Sequence, residues 1–174
     1  MIKAVSALSK GQKKDIWELI KAADREFVPP LSSRGSTTQA DLKDGEAGEV
    51  PQEYFSALSE QSFILCTERS HVTGFLSYIP DHPLRAGGTL DIVCDYVSTI
   101  IVAPERRGRG ITESMYRALF AHRPGRLCAT RTWSQNLAHI TILSRLGFRL
   151  ALRLKDDRGE GVDTVYYLRG DTDE

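Results

Sequence analysis

The chain has 174 residues, of which 41% are hydrophobic and 26% charged, the balance expected of one soluble globular domain with a substantial core. Lysine plus arginine equals aspartate plus glutamate at 23 each, so no global field draws it to nucleic acid or a membrane surface, and any basic site must be local. No apolar run is long enough to cross a bilayer, no signal-peptide core opens the chain, and Cys66, Cys94 and Cys128 are odd in number and lie in apolar runs without metal-ligand spacing; the expectation is a cytoplasmic protein with no metal site.

Met1 to Leu8 reads as an opening strand. Ser9-Lys10-Gly11-Gln12 has the spacing of a capping box, and Ile16, Leu19, Ile20, Ala23 and Phe27 share one face of a helix over about 10–26. That helix stops before Pro29-Pro30, because the residue preceding a proline is pushed out of the helical region. Residues 28–50, rich in Pro, Ser, Thr, Gly and Asp, read as a mobile loop or an irregular helical connection. Pro51 can start a helix through Tyr54, Phe55 and Leu58. Strands over 62–68 and 72–79 flank the turn Arg69-Ser70-His71, and a Pro/Gly-rich loop covers 80–88.

A long strand over 90–102 then runs into Ala103-Pro104-Glu105-Arg106-Arg107-Gly108-Arg109-Gly110-Ile111-Thr112 and a helix that ends near His122. Strand, glycine turn and helix N-terminus together make an anion site: the first-turn amides point outward, and the macrodipole favours negative charge there. Gly108 and Gly110 let the backbone approach a phosphate, and Arg107 and Arg109 can add charge-assisted hydrogen bonds. A strand over 126–133 follows. Ser134 can cap a helix through Leu137, Ile140 and Leu146, with Gly147 as a left-handed C-cap. Two last strands flank residues 156–161, and the acidic tail 171–174 is expected to fray.

The segment Arg107-x-x-Gly110-x-Thr112 resembles the signature of the GNAT superfamily of acyl-CoA-dependent N-acyltransferases, Arg/Gln-x-x-Gly-x-Gly/Ala after a strand, with Thr112 as the departure. A second stretch, from Asn136 through Leu146-Gly147-Phe148, resembles the family's next motif, an asparagine followed by a helix ending in Leu-Gly-Phe. The resemblance implies an α+β (α/β) GNAT fold over residues 1–170 as a single domain: a mixed sheet of about seven strands, splayed in the middle and flanked by about four helices.

It further implies acetyl-CoA as cofactor and a primary amine of a small molecule, amino acid or protein as acceptor, attacked directly. Backbone groups of Ile100 and Val102 would bind the pantetheine arm. The amides and side chains of Arg107, Gly108, Arg109, Gly110, Ile111 and Thr112 would cradle the pyrophosphate, and Asn136 would bond the arm or cap its helix. An amide such as that of Ile100 would serve the oxyanion. The family's proton-donating tyrosine falls on Leu143, which donates nothing. His139 shares a helical face with Asn136 and Leu143 and is the candidate substitute, as acid or cofactor contact; the alternative is a partly exposed helix histidine. Tyr96, with the strand parity of Ile100 and Val102, is a candidate catalytic group or a packing aromatic. Asp91 and Asp95 have the opposite parity unless a bulge intervenes. The resemblance places Glu26, Arg34 and Glu53 in the first-helix region that lines the acceptor pocket in relatives; as charged residues they read instead as solvated surface. The competing function classes are a non-catalytic acyl-CoA-binding module and a nucleic-acid binder using Arg106, Arg107 and Arg109. A homodimer stays open.

Overall fold

Ser9 Oγ accepts the Gln12 amide while the Gln12 side chain accepts the Ser9 amide, the reciprocal cap that opens helix α1 (Lys10–Ala23) in the computed structural model of the chain. The structure describes residues 1–43 and 45–170, so the acidic tail falls outside the described residues. A 3-10 turn over Asp24–Glu26 takes the place of the expected last turn of α1. Helix α2 (Gln52–Ser59) starts directly after Pro51. Helices α3 (Ile111–His122) and α4 (Leu137–Arg145) follow the two motifs.

The strands are β1 (Ile2–Val5), β2 (Ser62–Glu68), β3 (His71–Ala86), β4 (Leu90–Val102), β5 (Cys128–Trp133), β6 (Arg149–Leu154) and β7 (Thr164–Arg169). They form one seven-stranded sheet in the order β1-β2-β3-β4-β5-β7-β6. Every neighbouring pair is antiparallel except β4–β5. One sheet face packs Phe63, Phe75 and Ile101 against Ile16, Ile20, Tyr54 and Leu58 of α1 and α2. The other packs Ile64, Leu76 and Val97 against Met115, Tyr116 and Leu143 of α3 and α4. This is the mixed sheet with four helices that the motif order implied.

The expected loop over 80–88 is instead the second half of β3, which runs to Ala86 and pairs with β4. The prolines are tolerated there for a topological reason. β2 ends its pairing at Ser62–Tyr78, so beyond Tyr78 one edge of β3 is free, and Pro80 and Pro83 forfeit no bond on it.

The sheet is split where it changes sense. β4 and β5 pair only through Asp95–Cys128, Tyr96–Ala129 and Val97–Thr130. Immediately beyond, β4 carries a bulge at Ser98, since Tyr78 faces Val97 while Ser77 faces Thr99. A bulge bends its strand and raises the local twist. The Val97 carbonyl at the fork is taken by the Thr130 hydroxyl at 2.9 Å. From there the two strands diverge around a cleft.

Candidate active site

The cleft has a volume of about 420 Å³, with Ser98 to Val102 of β4 on one wall and Thr130 to Trp133 of β5 on the other. The Ala103 amide bonds the Thr73 carbonyl at 2.9 Å, toward β3. Successive residues of an antiparallel strand bond on alternate edges, so the N–H and C=O groups of Ile100 and Val102 face the opposite edge, into the cleft. An unpaired edge of this kind can take an extended amide chain as an added strand.

At the far end of β4 the chain turns through a 3-10 segment over Pro104–Arg106 into α3. Gly108 and Gly110 have φ of +74° and +71°, the left-handed region that glycine enters without strain. A Cβ at either would meet nothing within 4 Å, so both face open space. Gly110 is the N-cap of α3, with no side-chain cap, and its carbonyl accepts the Ser114 amide at 3.0 Å. The preceding amides of the first turn are left for a ligand.

The arginines of this turn are not equivalent. Arg107 grips Glu26 with Nη1 and Nη2 at 2.9 and 2.8 Å, and its Nε bonds the Val102 carbonyl at 3.0 Å. Arg106 is ion-paired to Glu68. Among the described residues Arg109 bonds only the Glu105 carbonyl, at 3.4 Å. The Arg107 side chain, expected to add charge at the phosphate, already has a partner here: Glu26 lines the cleft and holds it.

Helix α4 supplies Asn136, His139 and Ile142 to the cleft. The expected third member of that face, Leu143, points the other way and is fully buried in the core. Asn136 does not cap α4 with its side chain; its Nδ2 bonds Thr132 Oγ1 at 3.0 Å. Ser134 is no cap either, because its hydroxyl accepts the Asp163 amide at 3.0 Å. His139 Nε2 lies 2.9 Å from the Tyr116 hydroxyl, with the two rings stacked at 6.0 Å. Burial pushes the His139 pKa down to about 4, so the ring is neutral at physiological pH. An imidazole in this state is a hydrogen-bonding group, not a ready proton donor.

Tyr96 does not share the face of Ile100 and Val102, because the bulge at Ser98 inverts the parity below it. It is 2% exposed, packed beside His82 with ring centroids 5.4 Å apart and off the cleft wall, and burial pushes its pKa up to about 12. Asp95 is likewise buried, and its carboxylate is held by Arg123 at 2.9 Å and by the Asp81 amide at 3.1 Å. Asp91 pairs with Arg85 on the exposed end of the hairpin. Glu53 is exposed, as expected.

On the α1–α2 side, Thr37, Ser98 and Thr99 line the cleft and are hydrogen-bonded to Tyr54 and Gln61 behind them. Tyr54 Oη lies 2.5 Å from Thr99 Oγ1, the Ser98 hydroxyl donates to Gln61 Oε1 at 2.6 Å, and Gln61 Nε2 donates to Thr37 Oγ1 at 2.6 Å. Beside them stand three buried or half-buried arginines, Arg34, Arg131 and Arg158. The sequence places Arg34 in the region that lines the acceptor pocket in relatives but favours solvated surface for it, and the other two carry no motif. The one signal was Arg131, a charge inside the apolar strand run Leu127 to Trp133.

A family model described as Acetyltransferase (GNAT) family matches residues 18–148. A search of the curated proteins found no match. Among solved structures, yncA from Salmonella typhimurium with its cofactor acetyl-CoA is 17% identical, with TM-score 0.64, covering 99% of this chain and 95% of that one. Aminoglycoside 6'-acetyltransferase type Ii is 16% identical, with TM-score 0.67 over 98% and 96% of the two chains. Ribosomal-protein-alanine N-acetyltransferase from Brucella melitensis is 16% identical, with TM-score 0.64 over 97% and 98%. At these identities the likeness is one of fold.

Proposed function

The chain belongs to the GNAT acetyltransferase family, and from that premise we propose that it transfers the acetyl group of acetyl-CoA to a primary amine by direct attack on the thioester. The observation that carries this is the cleft edge of β4, open at Ile100 and at the Val102 amide, running straight into the free first-turn amides of α3. Acetyl-CoA supplies an activated acyl group; the protein's part is to hold and polarise it. The N–H and C=O of Ile100 and the N–H of Val102 bond the pantetheine arm, the Val102 carbonyl being held by Arg107. Gly108 to Thr112 take the pyrophosphate on backbone N–H groups, with Arg109 as the side chain left to add charge. Asn136 turns its Oδ1 to the arm while Thr132 fixes its Nδ2.

The Ile100 amide, aimed into the cleft, stabilises the oxyanion of the tetrahedral intermediate. Among the described residues lining the cleft there is no tyrosine, His139 is neutral, and Tyr96 and Leu143 are off the wall. The proton that the amine sheds as it adds to the carbonyl therefore goes to the departing thiolate, and His139 serves as a contact to the cofactor arm. Titration with acetyl-CoA followed by thiol release across an amine panel tests this reading. The absent acid favours one alternative, a non-catalytic acyl-CoA-binding module, which predicts tight acetyl-CoA binding with no turnover on any amine.

A further inference from the structure

Arg34, Arg131 and Arg158 meet on one side of the cleft although they come from a loop, from β5 and from the segment between β6 and β7. Arg34 is 7% exposed and Arg158 5% exposed. A guanidinium so deep is ordinarily matched by a carboxylate, because an uncompensated buried charge is strongly unfavourable. Here the partners are neutral. Arg34 bonds the Pro29 carbonyl through Nε and Nη2, at 3.1 and 2.8 Å. Arg131 bonds the Gln39 carbonyl at 2.7 Å and the Tyr166 hydroxyl at 3.4 Å. Arg158 bonds the Val28 carbonyl at 2.7 Å and Thr164 Oγ1 at 3.0 Å.

Among the described residues none of the three is ion-paired. Asp24 and Asp157, the acids whose charges reach Arg34 and Arg158, are occupied. Asp24 accepts both the amide and the hydroxyl of Ser32, and Asp157 reaches Arg158 only through the Thr164 hydroxyl. The guanidiniums also press on each other: Arg34 and Arg131 both help to lower the pKa of Arg158, after burial itself. Arg34 Nη1, Arg131 Nε and Arg158 Nη2 have no hydrogen-bond partner among the described residues, yet none of them is sealed from solvent, unlike Arg106 Nε. All three residues line the cleft.

We propose that Arg34, Arg131 and Arg158 form an oxyanion-binding subsite of the acceptor pocket, and that the acceptor is a small amine bearing a carboxylate or a phosphate group. The proposal rests on the acetyltransferase reading, to which it adds the substrate class. Fixed guanidinium forks match the geometry of either oxyanion. Phe27 and Trp133, with ring centroids 5.7 Å apart on the same wall, offer apolar contact to the carbons between oxyanion and amine. The sole carboxylate lining the cleft among the described residues, Glu26, is already paired with Arg107, so a polycationic acceptor meets like charge and no counter-charge.

The test compares kcat/KM within matched pairs: glycine, aspartate and glutamate each against its carboxamide, and phosphoethanolamine against ethanolamine, with an aminoglycoside and a polyamine alongside. The anionic member of at least one pair should be preferred by about 100-fold or more, since a site built to bond a group rejects the analogue that lacks it. Whether the amino acids or phosphoethanolamine lead identifies the oxyanion. Arg131→Gln should cut that preference at least ten-fold through the acceptor KM while leaving the KM for acetyl-CoA in place, and Arg131→Lys should retain part of it. Equal use of neutral or polycationic amines, or an unchanged preference in Arg131→Gln, would overturn the subsite while leaving the enzyme reading intact. If no amine turns over, the same ligands are titrated calorimetrically into the acetyl-CoA-saturated protein. Selective binding of the anionic members, lost in Arg131→Gln, upholds the subsite though acetyl transfer fails; absence of selective binding overturns it.

Discussion

At the residue scale, two positions make separable predictions. Gly110 sits at φ +71° with open space where a Cβ would project, so a side chain there conflicts with the ligand and with the backbone angle, not with protein neighbours. Gly110→Val should cost about 1–3 kcal/mol of stability, read by urea unfolding, and should raise the acetyl-CoA Kd at least ten-fold. Unchanged affinity in the folded variant would sink the phosphate-turn assignment. His139 reports through pH. Its folded pKa, about 4, lies below the value near 6.5 of an unfolded histidine, so the unfolded chain takes up the proton first. Stability is then full above about pH 6.5 and falls as the pH drops toward 4, by about 1.4 kcal/mol per unit of separation between the two values. The urea midpoint of His139→Gln should fall less steeply through that window; His82, also lowered by burial, stays in both proteins and cancels from the comparison. In turnover, His139→Ala should raise the KM for acetyl-CoA with kcat near wild type. A fall in kcat of about 10²–10⁴-fold would instead make it the acid.

At the scale of elements, the junction of α3 with the sheet depends on one guanidinium. Arg123, just past the end of α3, bonds both Asp95 oxygens at 2.9 Å and also Asp81 at 2.9 Å, fixing the helix to the middle of β4 and to Asp81 of β3. Asp95 is 1% exposed, so removing its partner strands a buried charge. Arg123→Met should destabilise the fold by about 3–5 kcal/mol, measured by urea unfolding, and Arg123→Met combined with Asp95→Asn should recover much of the loss. The same strand shows why sequence parity misplaced Tyr96. Residues 90–102 read correctly as one strand, but a single extra residue at Ser98 exchanges the faces on either side of it. Ser98 is an unremarkable residue within a β-branched run, and nothing local announces the bulge. Leu143 failed for a related reason: a face broad enough to include residue 143 by helical spacing is narrowed by packing to Asn136, His139 and Ile142.

At the scale of the molecule, the cleft is the fork of the sheet, and each half contributes one wall. A ligand bonded to the β4 edge and to α3 and α4 together binds only the folded arrangement. Acetyl-CoA at about 100 times its Kd should therefore stabilise the protein by about 2.7 kcal/mol, seen as a rise in Tm that Gly110→Val largely abolishes.

The sequence by itself determined the order of elements, the reciprocal cap at Ser9 and Gln12, the glycine turn before α3 and the glycine after α4. Each is a short-range matter, decided by backbone freedom, side-chain capping or hydrophobic period within a few residues. It also carried the two motifs from which acyl-CoA chemistry followed. Tertiary structure alone decided that Glu26 neutralises Arg107, that Tyr116 stands behind His139, and that Arg34, Arg131 and Arg158 converge without a carboxylate. These pairings join segments far apart in the chain. Their geometry is fixed by how sheet and helices pack, and no local pattern encodes which distant side chain will fill the space opposite.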